Sequence, residues 1–154
     1  FPGNEVRLMS AYFVTCTGFE KDENGNVTVV HATYDPATKS GSGFCERKVK
    51  GTIHWVAAAH ALPAEVRLYE HLFTAENPNA VDEGQTFLDH LNPDSLRTVC
   101  AQCEPSLRDV QPGTTVQFER LGYFCKDKDS TNARPVFNRT ATLRDTWAKL
   151  ERKG

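Results

Sequence analysis

The 154-residue chain lacks any apolar run of 18 or more residues, which excludes a helical membrane span. It also lacks a basic-then-apolar leader and opens Phe1-Pro2-Gly3 without Met. The expectation is a trimmed piece of a longer protein, cytoplasmic and not bound to a membrane. An excess of positive charge is missing too. Eighteen Lys and Arg stand against 20 Asp and Glu, and a dedicated nucleic-acid binder usually has a basic footprint. The sequence has no Gly-rich phosphate loop, no Gly-x-Ser-x-Gly elbow and no His-Glu-x-x-His, so it carries none of these catalytic or phosphate-binding signatures. The five cysteines (Cys16, Cys45, Cys100, Cys103 and Cys125) are odd in number and irregularly spaced. They form no disulfide framework, and a reducing compartment is expected.

Single pairs are also too few for chemistry. Cys100-Ala101-Gln102-Cys103 has no second Cys-x-x-Cys to complete a structural zinc site. On a strand its two sulfurs point to opposite faces, so thiols and no metal are expected. His54 and His60 are six residues apart, a spacing that does not place two ligands on one helical face. Asn26-Val27-Thr28 and Asn138-Arg139-Thr140 fit the glycosylation pattern, but without a leader they read as coincidences.

What is present suits a packed domain. Hydrophobic residues make up 39% and charged residues 25%, and nine Phe, four Tyr and two Trp can fill a core. The pattern predicts strands over residues 6–14 and 27–34, joined through a turn at Asn24-Gly25, whose residues accept the positive φ that a tight hairpin needs. A loop follows over 35–43, then strands over 47–57 and 65–73. Residues 74–85 read as an acidic connector, and Phe87, Leu88 and Leu91 as one helical turn or a short linker. Strands are again predicted over 95–103, 114–125 and 135–143, with a short tail beyond. Many short strands separated by turns predict an all-β fold, sandwich or barrel.

Charge is unevenly spread. Six basic residues (Arg134, Arg139, Arg144, Lys149, Arg152 and Lys153) face only two acids, Asp145 and Glu151, near the end. Arg47, Lys48 and Lys50 form a second cluster, while acids gather at 20–23 and 76–83. A basic face for phosphates is compatible with the negative total.

Longer motifs carry a resemblance. They are Val49-Lys50-Gly51-Thr52-Ile53-His54-Trp55-Val56, Pro63-Ala64-Glu65-Val66-Arg67-Leu68-Tyr69, Leu91-Asn92-Pro93-Asp94-Ser95-Leu96 and Glu104-Pro105-Ser106-Leu107. Gln117-Phe118-Glu119-Arg120, Gly122-Tyr123-Phe124-Cys125, Pro135-Val136-Phe137-Asn138-Arg139-Thr140 and Leu143-Arg144-Asp145-Thr146-Trp147 continue it over nearly the whole chain. Together they resemble the C-terminal anticodon-binding region of bacterial glutamine–tRNA ligases.

The resemblance implies two small β-barrels in tandem. A distal one is expected over 4–75, a connector over 76–89, a proximal one over 90–147 without its upstream strands, and a tail over 148–154. It implies a non-catalytic part of a class I ligase, whose ATP, with Mg, binds in the full enzyme and not in this chain. The implied partners are the anticodon loop of glutamine tRNA and a catalytic domain upstream in the same polypeptide. The implied contact residues are Gln117 and Arg120 for the middle uridine, Arg7 for the first-base region, and Arg144 for phosphate or loop. A Gln amide carries a donor and an acceptor, which complements the edge of uridine. Three residues apart on a regular strand, however, Gln117 and Arg120 would face opposite ways unless the strand twists, bulges or ends between them. The alternatives are the similar region of an archaeal or eukaryotic glutamate–tRNA ligase, and a stand-alone RNA- or protein-interaction barrel.

Overall fold

The computed structural model describes residues 1–143, and over these residues the chain is all-β. The strands form two sheets, one of four strands and one of five. The chain divides between Trp55 and Val56 into two compact units. Arg144 and the basic residues beyond it lie outside the described residues.

In the first unit the strand order is β3-β2-β1-β4, with β1 Glu5–Leu8, β2 Phe13–Lys21, β3 Val27–Asp35 and β4 Thr52–Ile53. The β2–β3 hairpin is the expected one, and its turn is closed by local chemistry. The Asp22 carboxylate accepts from the backbone N–H of Asn24 at 2.9 Å and of Asn26 at 2.8 Å, and from the Asn26 side chain at 3.1 Å. The Asn26 side-chain bond, reinforced by the backbone bonds, holds the Asp22 carboxyl below its ordinary range. Gly25 takes a φ of 83°, the left-handed region that glycine enters without strain. The alternation along β3 does not mark a buried face. This strand is at the edge of its sheet and is exposed from Val27 to Tyr34.

Two expected strands differ. The predicted strand over 6–14 is two antiparallel strands, because the chain reverses at residues 9–12. Ser10 adopts φ 56°, and the Leu8 N–H donates to the Tyr12 carbonyl at 2.9 Å. The predicted strand over 47–57 shrinks to β4, which runs parallel to β1. There the Arg7 N–H donates to the Gly51 carbonyl at 2.9 Å and the Met9 N–H to that of Ile53 at 3.0 Å. The Trp55 indole donates to the Met9 carbonyl at 3.0 Å. The centre of this unit is Phe13, only 2% exposed, beside a fully buried Thr38. The Thr38 hydroxyl accepts from the Phe13 N–H at 2.8 Å and donates to the Asp35 carbonyl at 2.7 Å, so its burial leaves no hydrogen bond unmade.

The second unit has the order β6-β5-β9-β8-β7. Its strands are β5 Leu62–Tyr69, β6 Leu96–Cys103, β7 Thr115–Phe118, β8 Gly122–Lys126 and β9 Val136–Ala141. The segment expected to complete the distal barrel is therefore a central strand of this second sheet. β5 pairs antiparallel with β6 along its full length and parallel with β9 from Glu65. Its inward residues Leu62, Ala64 and Val66 bury against Cys103, Phe124 and Phe137, and that shared core fixes its membership. Between the paired elements, Phe87–His90 is a single 3-10 turn, as one of the two sequence readings had it. The Thr86 N–H donates to the Asp89 carboxylate at 2.7 Å at its start.

The predicted strand over 114–125 is a hairpin, β7 and β8, that reverses at residues 119–121. Sequence shows no Asn-Gly or Pro-Gly there, because the left-handed residue is Arg120, with φ 63°. Gly122 is required by close approach. A Cβ on it would stand 2.5 Å from the Ala141 carbonyl oxygen. Behind the hairpin, the Lys126 ammonium is buried and donates to the carbonyls of Arg108 at 2.9 Å and Val110 at 2.6 Å.

Candidate nucleic-acid interface

The β7–β8 hairpin presents Gln117 and Arg120 at one end of the second sheet. Val116 and Phe118 turn inward, and Phe118 stacks on the buried Phe124 with ring centroids 4.3 Å apart. Strand alternation then sends Gln117 outward, where it is exposed. The strand ends at Phe118, so Arg120 belongs to the turn and not to the opposite face of β7. The regular strand therefore ends between the two, which is one of the conditions that the sequence set for them. Directly across the hairpin from Gln117 stands Tyr123.

Arg7 belongs to the first unit, on β1. Its guanidinium carbon lies 4.6 Å from the centroid of the Phe13 ring. Arg47 approaches the same ring at 5.4 Å and that of Phe44 at 5.3 Å, and the two rings meet edge to face at 5.9 Å. Arg7, Phe13, Phe44, Arg47, Lys48 and Thr52 line an open cleft of about 390 Å³. Arg7 and Lys48 at the rim of this cleft suit an anionic group such as a phosphate.

Not every cation of the expected basic clusters faces outward unpaired. Arg47 is engaged by Glu5, with Nε at 3.0 Å and Nη2 at 2.8 Å, and by Asp35 at 2.7 Å. These bonds raise the Arg47 guanidinium pKa and hold the Glu5 and Asp35 carboxyls below their ordinary range. Arg134 lies 3.6 Å from Glu65, and Arg139 lies 2.7 Å from Glu70. On the outer side of β5, Arg67 donates to Glu65 at 2.8 Å and approaches Asp127 at 3.5 Å. Asn138 bridges that network, donating to Asp127 and accepting from the Tyr69 hydroxyl at 3.2 Å. These groups tie strands and loops together and leave Arg7 and Lys48 as the cations that face the cleft without an ion pair among the described residues.

The cysteine pair sits as strand geometry requires. Cys103 is buried and Cys100 exposed, on opposite faces of β6. Burial pushes the Cys103 thiol pKa up. Among the described residues no cluster of three or more His, Cys, Asp or Glu is placed to hold a metal ion. No helix among them is long and apolar enough to cross a membrane. His54 and His60 are both exposed, after β4 and in a turn.

Sequence reasoning missed Phe13, Phe44 and Lys48 as neighbours of Arg7, because the segments 7–13 and 44–52 are brought together by the parallel β1–β4 pairing and by the contacts of Phe13 with Phe44 and Arg47. The basic run Arg47-Lys48-Val49-Lys50 was the available signal.

Known proteins share this sequence. The family description "tRNA synthetases class I (E and Q), anti-codon binding domain" matches residues 1–35 and 52–127 through two family models. A glutamine–tRNA ligase from Rhodopirellula baltica is 55% identical over 152 residues, which is 99% of this chain and 25% of the relative. One from Cupriavidus taiwanensis is 56% identical over 97% of this chain and 26% of the relative. One from Escherichia coli is 53% identical over 96% of this chain and 26% of the relative. The chain thus spans about a quarter of the length of the curated relatives it matches. With its all-β units, its outward Gln117–Arg120 hairpin and these matches along both units, the chain belongs to the anticodon-binding domain family of the class I tRNA synthetases for glutamate and glutamine.

Proposed function

We propose that this chain reads the C/U-U-G anticodon loop of glutamine tRNA as the anticodon-binding region of a glutamine–tRNA ligase. In this reading ATP, magnesium and the aminoacylation chemistry belong to a catalytic domain in the same polypeptide. Gln117 offers its amide edge to the middle uridine, Arg120 supplies a cation beside it, and Arg7 serves the first-base region. Arg144 is assigned to phosphate or loop contact. The two all-β units act as the distal and proximal barrels, the second taking in residues 62–69.

The observation that carries the proposal is the end of β7 at Phe118. It leaves Gln117 exposed on the last outward position of the strand and Arg120 in the adjoining turn. Unpaired loop bases expose their Watson–Crick edges, and this is where proteins read RNA sequence. The relatives matched here bear the name glutamine–tRNA ligase, which favours glutamine over glutamate.

The test is aminoacylation by the full-length ligase with purified glutamine tRNA and with a transcript whose middle anticodon base is changed to cytidine. Wild type should prefer the uridine, and Gln117→Ala should narrow that preference mainly through tRNA selection. Undiminished discrimination in the variant would remove Gln117 from the site. Charging of glutamate tRNA alone by the wild type would overturn the choice of amino acid.

A further inference from the structure

We infer that Tyr123 is the stacking platform for the base whose edge Gln117 reads, an inference that rests on the anticodon-reading proposal above. Tyr123 and Gln117 are directly opposed across the β7–β8 hairpin. Opposed residues of an antiparallel pair share one face, with Cβ atoms roughly 5 Å apart. The flanking pair Val116 and Phe124 points into the core, so the Gln117–Tyr123 pair points out. Tyr123 is 41% exposed, so the aromatic side chain opposite Gln117 is open to solvent.

The neighbouring strand keeps that ring uncovered. On its other side Tyr123 is opposed by Ala141, whose methyl group is too small to cover a phenol ring. The register shifts here by one residue. Tyr123 pairs with Ala141 and Phe124 with Arg139, so Thr140 is the extra residue of a bulge. The Thr140 hydroxyl donates to the Tyr123 carbonyl at 3.2 Å and holds the backbone in place. Bulges of this kind re-aim side chains. The Ala141 carbonyl approaches Gly122 so closely that a Cβ there would stand 2.5 Å from it, which fixes the backbone on this side of Tyr123.

The chemistry fits one occupant. A hydrogen-bonding amide reads a base edge, and an adjacent aromatic face takes the same base's π-surface, which is how splayed RNA bases are held. A cation in the adjoining turn, Arg120, suits the attached phosphate. Stacking does not select among bases by itself. It holds the base in the plane where the Gln117 amide can discriminate.

The full-length ligase tests this with Tyr123→Phe, Tyr123→Leu and Tyr123→Trp, each assayed for aminoacylation and for thermal unfolding. Phe should keep the wild-type KM for glutamine tRNA. Leu, apolar but not aromatic, should raise that KM by roughly 5- to 100-fold with the melting temperature held. A 17-nucleotide glutamine anticodon stem-loop should quench the fluorescence of the Trp variant, and a loop with its middle base removed should not. Wild-type KM in the Leu variant, or equal quenching by both loops, would overturn the inference. If Leu fails to fold, the quenching comparison decides alone. Failure of the underlying reading is separately visible, because wild type would then show no preference for the middle uridine.

Discussion

The guanidinium carbon of Arg7 sits over the ring of Phe13, 4.6 Å from its centroid, and Phe13 is only 2% exposed. A rigid, desolvated ring thus supports a cation at the edge of the cleft. Lysine cannot reproduce this, because its ammonium is a strongly hydrated point charge without a stacking plane. On the proposed function, Arg7→Lys in the full-length protein should weaken binding of the glutamine anticodon stem-loop while leaving the salt dependence unchanged. Arg7→Met should also lower the slope of log affinity against log salt by about 0.7, the single-strand value for one lost contact. A titration series across salt concentrations separates the two, and wild-type affinity in Arg7→Lys would remove the stacked geometry from the binding account.

Acid should loosen the first unit through the Arg47 clamp. The Glu5 and Asp35 carboxyls are both held low by side-chain hydrogen bonds from Arg47. A lowered folded-state pKa contributes stability that is present above the ordinary carboxylate range and is lost as pH falls through the folded values below it. Thermal unfolding of the chain from about pH 6 down to about pH 3 should show that loss, and Asp35→Asn should have a lower melting point at the upper end with a shallower decline. An unchanged decline in the variant would place the acid sensitivity elsewhere. High salt should reduce the effect, since the clamp is partly exposed.

Two glycines with positive φ should respond differently to alanine. Gly113, at φ 85°, has nothing within 4 Å of a built Cβ, so Gly113→Ala meets backbone strain alone, about 1–2 kcal/mol. Gly122, at φ 152°, would also drive its Cβ onto the Ala141 carbonyl oxygen. Gly122→Ala should cost more than Gly113→Ala in urea unfolding and should displace the β8–β9 register beside Tyr123. Equal losses would show that β9 can yield at Ala141.

The thiols should label in a fixed order. Cys100 is exposed, whereas Cys103 is buried with its pKa raised by desolvation. Only the thiolate reacts, so brief maleimide treatment of the folded chain followed by peptide mapping should find Cys100 modified and Cys103 spared at neutral pH. Raising the pH should not equalise them until the second unit opens. Early modification of Cys103 would mean that β6 opens locally.

How much of this fold was legible depended on where each turn keeps its chemistry. Asn24-Gly25 announced the β2–β3 hairpin because the residues that close it lie within the turn itself. The turns at Ser10 and Arg120 gave no such signal, since ordinary side chains occupy their left-handed positions. Their apolar flanks therefore read as single long strands. The same was true of residues 62–69. Alternation showed a strand, but alternation does not say which sheet receives it. The candidate site divided in the same way. Gln117, Arg120 and Arg7 were proposed from motifs, while the placing of Arg7 over Phe13 and the opposition of Gln117 to Tyr123 needed the tertiary fold and its pairing registers.

By itself the amino-acid sequence determined the all-β class, the local hairpin turn, the opposite faces of Cys100 and Cys103 and the family. Each of these is carried by neighbouring residues or by contiguous motifs. Tertiary structure alone decided that β5 joins the second sheet and that Arg47 is held by Glu5 and Asp35. Those outcomes depend on non-local pairing and on which apolar faces bury one another, and no window of sequence contains both partners.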